Sequence, residues 1–373
     1  MDARRIAIVI GTRPEAIKMA PVYLKLRANP RMQVSLLATA QHREMLDQVL
    51  SAFGIKPDVD LDLMRPDQKL GEVSASVLVR VQKVLADMKP DAVLVHGDTT
   101  TCMFSALAAF YEGIPVGHVE AGLRTYDFNT PWPEEMNRPL TDPICQWCFA
   151  PTRRAADNLR AERIPEERIL VTGNTVIDAL LMAREMTRRR RPLIPELPGD
   201  FLDNRRLILV TGHRRESFGK PFIEFCFALR DIVQEHRDTV LVYPVHLNPN
   251  VQRPVNEILG RVDRILLIQP VEYLQFVHLM DRSFFIITDS GGVQEEAPSL
   301  HKPVLVTRET TERPEAVEAG LARLLGTCRE KIVAEARCLL TDPEVHADMT
   351  RGENPYGDGK ASERIVSIMA SSS

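Results

Sequence analysis

No apolar run in this sequence approaches the length needed to cross a bilayer, so no membrane span is expected. The first ten residues hold a single short apolar stretch, 6–10, so no leader peptide is expected either. Positive charge is not in excess: 47 Lys and Arg against 51 Asp and Glu leave a net −4, without the basic surface that nucleic acid demands. Cysteine is sparse, and its six residues are scattered. Cys145 and Cys148 form a lone C-x-x-C with no second pair and no redox-fold context. Buried structural thiols are the expectation there, and with them a cytoplasmic protein without disulfides. Two nucleotide signatures are missing as well, the G-x-G-x-x-G fingerprint and the Walker lysine pattern. Neither NAD nor ATP is supported. No internal repeat is evident.

What remains is ordinary globular protein, 26% charged and 44% hydrophobic over 373 residues, a length that suits two α/β domains. Short apolar runs bounded by Gly, Pro and Asp alternate with helical patterns. Strands are expected at 6–10, 33–38, 92–95, 114–119, 147–150 and 169–171. Helices are expected from Pro14 to Leu26, over 42–53 (entered through Thr39-Ala40-Gln41), 70–88, 100–111, from Glu134, and over 152–163. Such alternation means a doubly wound sheet. Residues 184–206 break the pattern with four consecutive arginines, Arg188 to Arg191, and three prolines, and read as a helix end and solvated linker. A domain boundary is expected at 173–174. A second α/β series follows, with strands at 207–211, 240–245, 265–268, 284–288 and 304–306, helices at 222–236 and 293–300, and a last helix to about 370.

The polar residues gather where strands end. His96-Gly97-Asp98 and His118-Val119-Glu120 each close an apolar run, and Glu134 follows Pro131-Trp132-Pro133 and opens a helix. Carboxylates on neighbouring rims of an α/β sheet sit where ligands bind and make an acid–base cluster. Asp98 or Glu134 alone reads better as a helix cap or first-turn acid; for all three, with His96, His118, Arg124 and Arg138 interleaved, a site is the better reading. Gly11 turns a strand into a helix, which makes an anion site to which Arg13 and Lys18 add charge; Lys18 reads equally as a solvated helix lysine. In the second half, Ser290-Gly291-Gly292 opens a helix carrying Glu296, placed for a phosphate and for ribose hydroxyls. His213 and Arg313 add cations, and Phe276 either stacks on a base or packs in the core. A diphosphate held by Arg13 and Lys18 on one side and His213, Ser290 and Arg313 on the other would span both domains.

Segments throughout the chain, among them Gly11–Pro21, His118–Arg124, Thr288–Leu300 and Asn354–Gly359, resemble the bacterial non-hydrolysing UDP-N-acetylglucosamine 2-epimerases. HVEAGLRT and TDSGG-x-QEEAPSL are the most specific of these motifs. The resemblance implies two Rossmann-like doubly wound domains of the glycosyltransferase-B type with an inter-domain active-site cleft. The first covers 1–172, joined by the final helix 359–373, and the second covers 173–358. It implies a UDP-sugar substrate, interconversion of UDP-GlcNAc and UDP-ManNAc, neither cofactor nor metal, a homodimer, and supply of ManNAc precursors for cell-surface polysaccharide. By the same resemblance Asp98, Glu120, Glu134 and His213 are catalytic. Arg13, Lys18, Arg138, Ser290, Gly291, Gly292, Glu296 and Arg313 hold the substrate, and Phe276 is added to them as the residue that would stack on the base. Gln41, Gln68, Arg214 and His246 match a second, activating UDP-GlcNAc site that some members of the resembled family hold, with Glu134 touching both. Glu44 and Asp67 depart from the glutamine and arginine of those members.

The chemistry suits these residues. The C2 proton of the sugar is not acidic, because C2 carries no carbonyl. Breaking the C1–O bond first places positive charge at C1 and acidifies C2–H; loss of UDP gives 2-acetamidoglucal, to which UDP re-adds. Cations for the diphosphate, a base and an acid are all needed. Residue types alone leave open which of the three carboxylates is the base. They also leave open a glycosyltransferase of the same fold, a silent UDP-GlcNAc sensor and a hydrolysing epimerase.

Overall fold

Apolar runs buried on both faces become the strands of two wholly parallel sheets. The computed structural model describes residues 3–39, 43–65 and 67–371, and divides into two units, Met1–Ala179 with Tyr356–Ser373, and Leu180–Pro355.

In the first unit the strands are β1 (Arg4–Ile10), β2 (Met32–Ala38), β3 (Val59–Asp60), β4 (Ala92–His96), β5 (Val116–Val119), β6 (Trp147–Ala150) and β7 (Ile169–Val171). They lie in the order β3-β2-β1-β4-β5-β6-β7. Between and after them run α1 (Arg13–Ala28), α2 (Arg43–Ala52), α3 (Leu70–Met88), α4 (Thr100–Tyr111), α5 (Glu134–Thr141) and α6 (Arg153–Ala161), and α7 (Thr175–Arg189) belongs partly to each unit. The second unit contains β8 (Arg206–Thr211), α8 (Lys220–Glu235), β9 (Thr239–Pro244), α9 (Pro249–Leu259), β10 (Ile265–Ile268), α10 (Tyr273–Arg282), β11 (Phe285–Thr288) and α11 (Gly291–Glu296). It goes on through β12 (Val304–Val306), α12 (Pro314–Glu318), β13 (Ala322–Leu324), α13 (Arg329–Thr341) and α14 (Pro343–Asp348). Its sheet order is β10-β9-β8-β11-β12-β13. The helix α15 (Ala361–Ser371) returns to the first unit and packs on α1. Buried Asp178 accepts from the backbone amides of Ala361 (3.1 Å) and Ser362 (2.9 Å), Arg4 Nη1 donates to the Met369 carbonyl, and Lys25 pairs with Glu363 at 2.6 Å.

Each sheet reverses its strand order once, at β1/β4 and at β8/β11. In open α/β sheets the crevice beyond the carboxyl ends at such a point is where ligands bind.

Several elements differ from the sequence expectation for local reasons. β3 and β13 are short and carry Asp60 and Arg323, so neither shows an apolar run. α9 contains Pro254, which hides it from a helical pattern; α10, α12, α13 and α14 were equally unmarked. α6 stops before 163 because Arg163 is left-handed at φ +64°. The helix expected at 293–300 begins at Gly291 and tightens into a 3-10 turn, Ala297–Leu300, around Pro298, which has no N–H to donate. The two units meet in sequence inside α7, between Ala179 and Leu180. Ala40, Gln41 and His42, where the second helix was expected to begin, lie outside the described residues.

Candidate active site

In the first unit the rim is built around Gly11. A Cβ there would meet the hydroxyls of Thr101 at 2.4 Å and Thr39 at 2.5 Å, so only glycine lets β1 turn into α1 at this point. Thr12 caps α1, and Glu15 completes the capping box. Glu15 is fully buried. Its carboxylate accepts from the amides of Gly11 (2.8 Å) and Thr12 (2.7 Å) and from the hydroxyls of Thr12 (2.9 Å) and Thr99 (2.6 Å). It therefore ties the β1 turn to the β4 turn across the switch point, although burial raises its pKa. Arg13 opens α1 half-buried, with no hydrogen bond or ion pair among the described residues.

Lys18, one turn on, is not solvated. Its ammonium lies 2.5 Å from Glu120 Oε2, and both side chains are buried or nearly so. His96 Nε2 approaches the same oxygen at 3.5 Å. Burial alone would raise the Glu120 pKa, but Lys18 and His96 pull it well below the usual carboxylate value. The Glu120 backbone is left-handed at φ +69°, a conformation that costs a non-glycine residue about 1–2 kcal/mol, and its amide is pinned to the Phe149 carbonyl at 3.0 Å.

Asp98 stands at the adjacent rim. Arg138 donates to its Oδ2 through Nε (3.0 Å) and Nη2 (2.7 Å), and to Glu135 through Nη1 (2.6 Å). Asn137 reaches the Asp98 carbonyl at 2.8 Å, so α5 is anchored on the Asp98 turn. Arg138, given to the sugar nucleotide by resemblance, is engaged with two carboxylates here. Buried Glu135 also accepts from the amides of Thr125 and Tyr126, both at 2.8 Å, and so fixes the loop entering α5. Glu134 begins α5 half-buried, with no ion pair or hydrogen bond among the described residues.

Two residues counted towards the cluster do not belong to it. His118 is buried between Asp142 (2.6 Å) and the Gly97 carbonyl (2.7 Å). Arg124 is held by Asp142 (2.6 Å) and Glu162 (2.6 Å). They form a brace beneath the rim, and their ring and guanidinium atoms are already taken.

The second unit carries its own rim at β8/β11. Asp289 is 2% exposed, and its Oδ2 accepts from the amides of His213 (2.6 Å) and Arg214 (2.7 Å). The His213 ring stacks on His246 with centroids 5.0 Å apart and planes 8° from parallel. Its pKa is lowered, first by desolvation and then, against the pull of Asp289, by His246 and Arg214. Ser290 caps α11. A Cβ at Gly291 would meet nothing within 4 Å, and at Gly292 only side-chain atoms 3.9 Å away; neither has positive φ. Nothing in the fold itself demands glycine at these positions, so the space over their amides is open to a ligand. Buried Glu295 holds Arg313, whose amide is turned by Thr311 (3.0 Å), while Thr311 in turn is fixed by Gln294 (2.7 Å). Glu296 is half-buried beside Gly292, and Phe276 half-buried on α10. Glu15, Glu135, Asp289 and Glu295 escaped sequence reasoning, because their partners are set by the fold; Glu15 alone had a local signal, three residues after a capping threonine.

Of the positions matched to an activator site, Gln68 accepts from the Arg65 amide at 2.7 Å beside the exposed, left-handed Asp67. His246 Nδ1 accepts from the Asn248 amide at 3.1 Å. Gln41 lies outside the described residues.

Two doubly wound parallel sheets, each with polar and charged groups gathered at its own switch point, define an enzyme of the glycosyltransferase-B fold class. MurG of Acinetobacter baumannii shares that fold, with a TM-score of 0.60 at 14% identity over 98% of this chain and 99% of that one. A family model described as UDP-N-acetylglucosamine 2-epimerase matches residues 24–370. The UDP-N-acetylglucosamine 2-epimerase of Escherichia coli strain K12 is 55% identical over 368 residues, 98% of each chain. The crystal structure of UDP-GlcNAc 2-epimerase from Neisseria meningitidis bound to UDP-GlcNAc matches with a TM-score of 0.87 and 48% identity, over 99% of this chain and 100% of that one. The chain belongs to the UDP-N-acetylglucosamine 2-epimerase family and is an isomerase that epimerises UDP-GlcNAc. Among the described residues no helix is long and apolar enough to cross a membrane.

Proposed function

We propose that the chain interconverts UDP-GlcNAc and UDP-ManNAc without hydrolysis, by elimination of UDP to 2-acetamidoglucal and re-addition. The observation that carries this reading is the unequal treatment of three carboxylates in the first unit. Glu120 is kept ionised by Lys18, and Asp98 is paired with Arg138. Glu134 faces no cation among the described residues. A group held as a carboxylate suits the base that takes the C2 proton, so Asp98 or Glu120 fills that role. Glu134, the third carboxyl of the rim and free of any ion pair among the described residues, is left to serve the opposite face. In the second unit His213, Arg313 and the open amides at Gly291 and Gly292 favour the negative charge that builds on the departing diphosphate. Glu296 suits the ribose hydroxyls, and Arg13 adds a cation from the first unit's rim. The product suits supply of ManNAc units for cell-surface polysaccharide in the cytoplasm, by a homodimer. Gln68, Arg214 and His246, with Gln41, form part of a second UDP-GlcNAc site that raises turnover.

The test is a proton NMR time course of UDP-GlcNAc in D2O with no acceptor. Deuterium should enter C2 of both epimers. UDP-ManNAc that keeps its C2 protium would overturn elimination, and free ManNAc or no turnover would replace the reading with a hydrolase or a sensor.

A further inference from the structure

We infer that Asp289 is the positioning residue of His213, setting which ring nitrogen carries the proton and which faces the ligand. The inference rests on the reading of His213 as a group that serves the departing diphosphate.

Asp289 follows β11 at the second unit's switch point, directly beside the end of β8: Thr288 pairs with Thr211, and the Asp289 amide donates to the Thr211 carbonyl at 3.2 Å. One carboxylate oxygen is spent on backbone, accepting short bonds from the amides of His213 and Arg214. The other, Oδ1, is buried, has no hydrogen-bond partner among the described residues, and lies 3.5 Å from His213 Nδ1. A buried carboxylate oxygen without a donor is unfavourable, and among the described residues the only ionisable side chain paired with it is the histidine whose backbone the same residue clamps. The opposite constraint is the face-on stack of His246. Edge and face together leave the ring one orientation, with Nδ1 inward and Nε2 outward on a side chain 43% exposed.

The chemistry follows from that orientation. With the Nδ1 proton turned towards Asp289 Oδ1, the neutral ring presents an Nε2 lone pair and the protonated ring presents Nε2–H to an anion. His246 and Arg214 face the same ring, and they and burial all disfavour the imidazolium; Asp289 opposes them. It is thus the group that keeps a cationic donor within reach of a diphosphate oxygen. Apo distances of this kind tighten when ligand arrives.

Asp289→Asn tests this on the full-length protein. The asparagine carbonyl replaces Oδ2 and keeps both backbone bonds, while its NH2 replaces Oδ1 and points a donor at Nδ1. Nitrogen-15 NMR of histidine-labelled protein should show neutral His213 as the Nδ1–H tautomer in the wild type and Nε2–H in the variant. The His213 pKa should fall by about one unit or more, as expected on losing an adjacent opposite charge. kcat should drop at least about tenfold, with KM changed far less. His213→Gln separates the two levels. If His213→Gln is as active as wild type, the reading of His213 is wrong. If His213→Gln is inactive while Asp289→Asn keeps the wild-type tautomer, pKa and kcat, the positioning role is overturned and the reading of His213 stands. Should Asp289→Asn not fold, the wild-type spectrum decides: an Nε2–H tautomer refutes the inference.

Discussion

Glu120 concentrates three costs in one residue: a left-handed backbone, a nearly buried side chain and a negative charge. Lys18 offsets the last. Because the folded pKa lies below the ordinary value of 4.5, the unfolded chain binds the proton more readily. The pair's contribution to stability is therefore full above about pH 4.5 and is lost as pH falls through the folded value. Urea unfolding at several pH values should show Glu120→Gln less stable than wild type at pH 7, with the gap closing below about pH 4.5. An unchanged gap would mean that Lys18 does not hold the charge. For turnover, Asp98→Asn, Glu120→Gln and Glu134→Gln should each lose about 10²–10⁴-fold with UDP affinity nearly intact. Arg313→Ala and Glu296→Ala should weaken UDP binding instead. Calorimetry showing the carboxylate variants losing UDP as severely as Arg313→Ala would erase this division of labour.

The turns after the strands decide where these side chains stand, and their glycines differ in what they forbid. Gly97 has φ +71° but open space around a would-be Cβ. At Gly122 the φ is +84°, and a Cβ would also lie 2.3 Å from the Ala155 carbonyl oxygen. Gly97→Ala should thus cost about 1–2 kcal/mol in denaturant unfolding. Gly122→Ala should cost clearly more, since backbone must move; equal costs would contradict the crowding. Asp98 and Glu120 were legible in sequence because apolar strands end on them, and Glu134 because a proline-rich approach precedes a helix. His118 and Arg124 carried the same local signature and turned out to be braces. What separates the two groups is Asp142, 24 residues from His118, a partner that only the folded β5–β6 pairing supplies. The work of Asp289 was hidden for the same reason, since its partners lie 75 and 76 residues away across β8/β11.

For the molecule as a whole, the activator reading gives a kinetic signature. Asp67 places an acid where the resembled family carries a cation, so a second diphosphate should bind less tightly than with the full set, through a like-charge contact and a lost charge-assisted bond. Starting from UDP-ManNAc alone, the reverse reaction should begin slowly and speed up when a little UDP-GlcNAc is added, and His246→Ala should blunt that rise. A full initial rate with no response would remove the activator site from this chain.

The return of α15 to α1 bears on how the chain is made. A ribosome releases residues in order, so the second unit, one uninterrupted stretch, has all its strands before the first unit has all its helices. The first unit waits on Asp178 and Arg4 for donors and acceptors that are synthesised more than 180 residues after Asp178. The helical cover over α1 is thus completed last, after every residue of the second unit has been made.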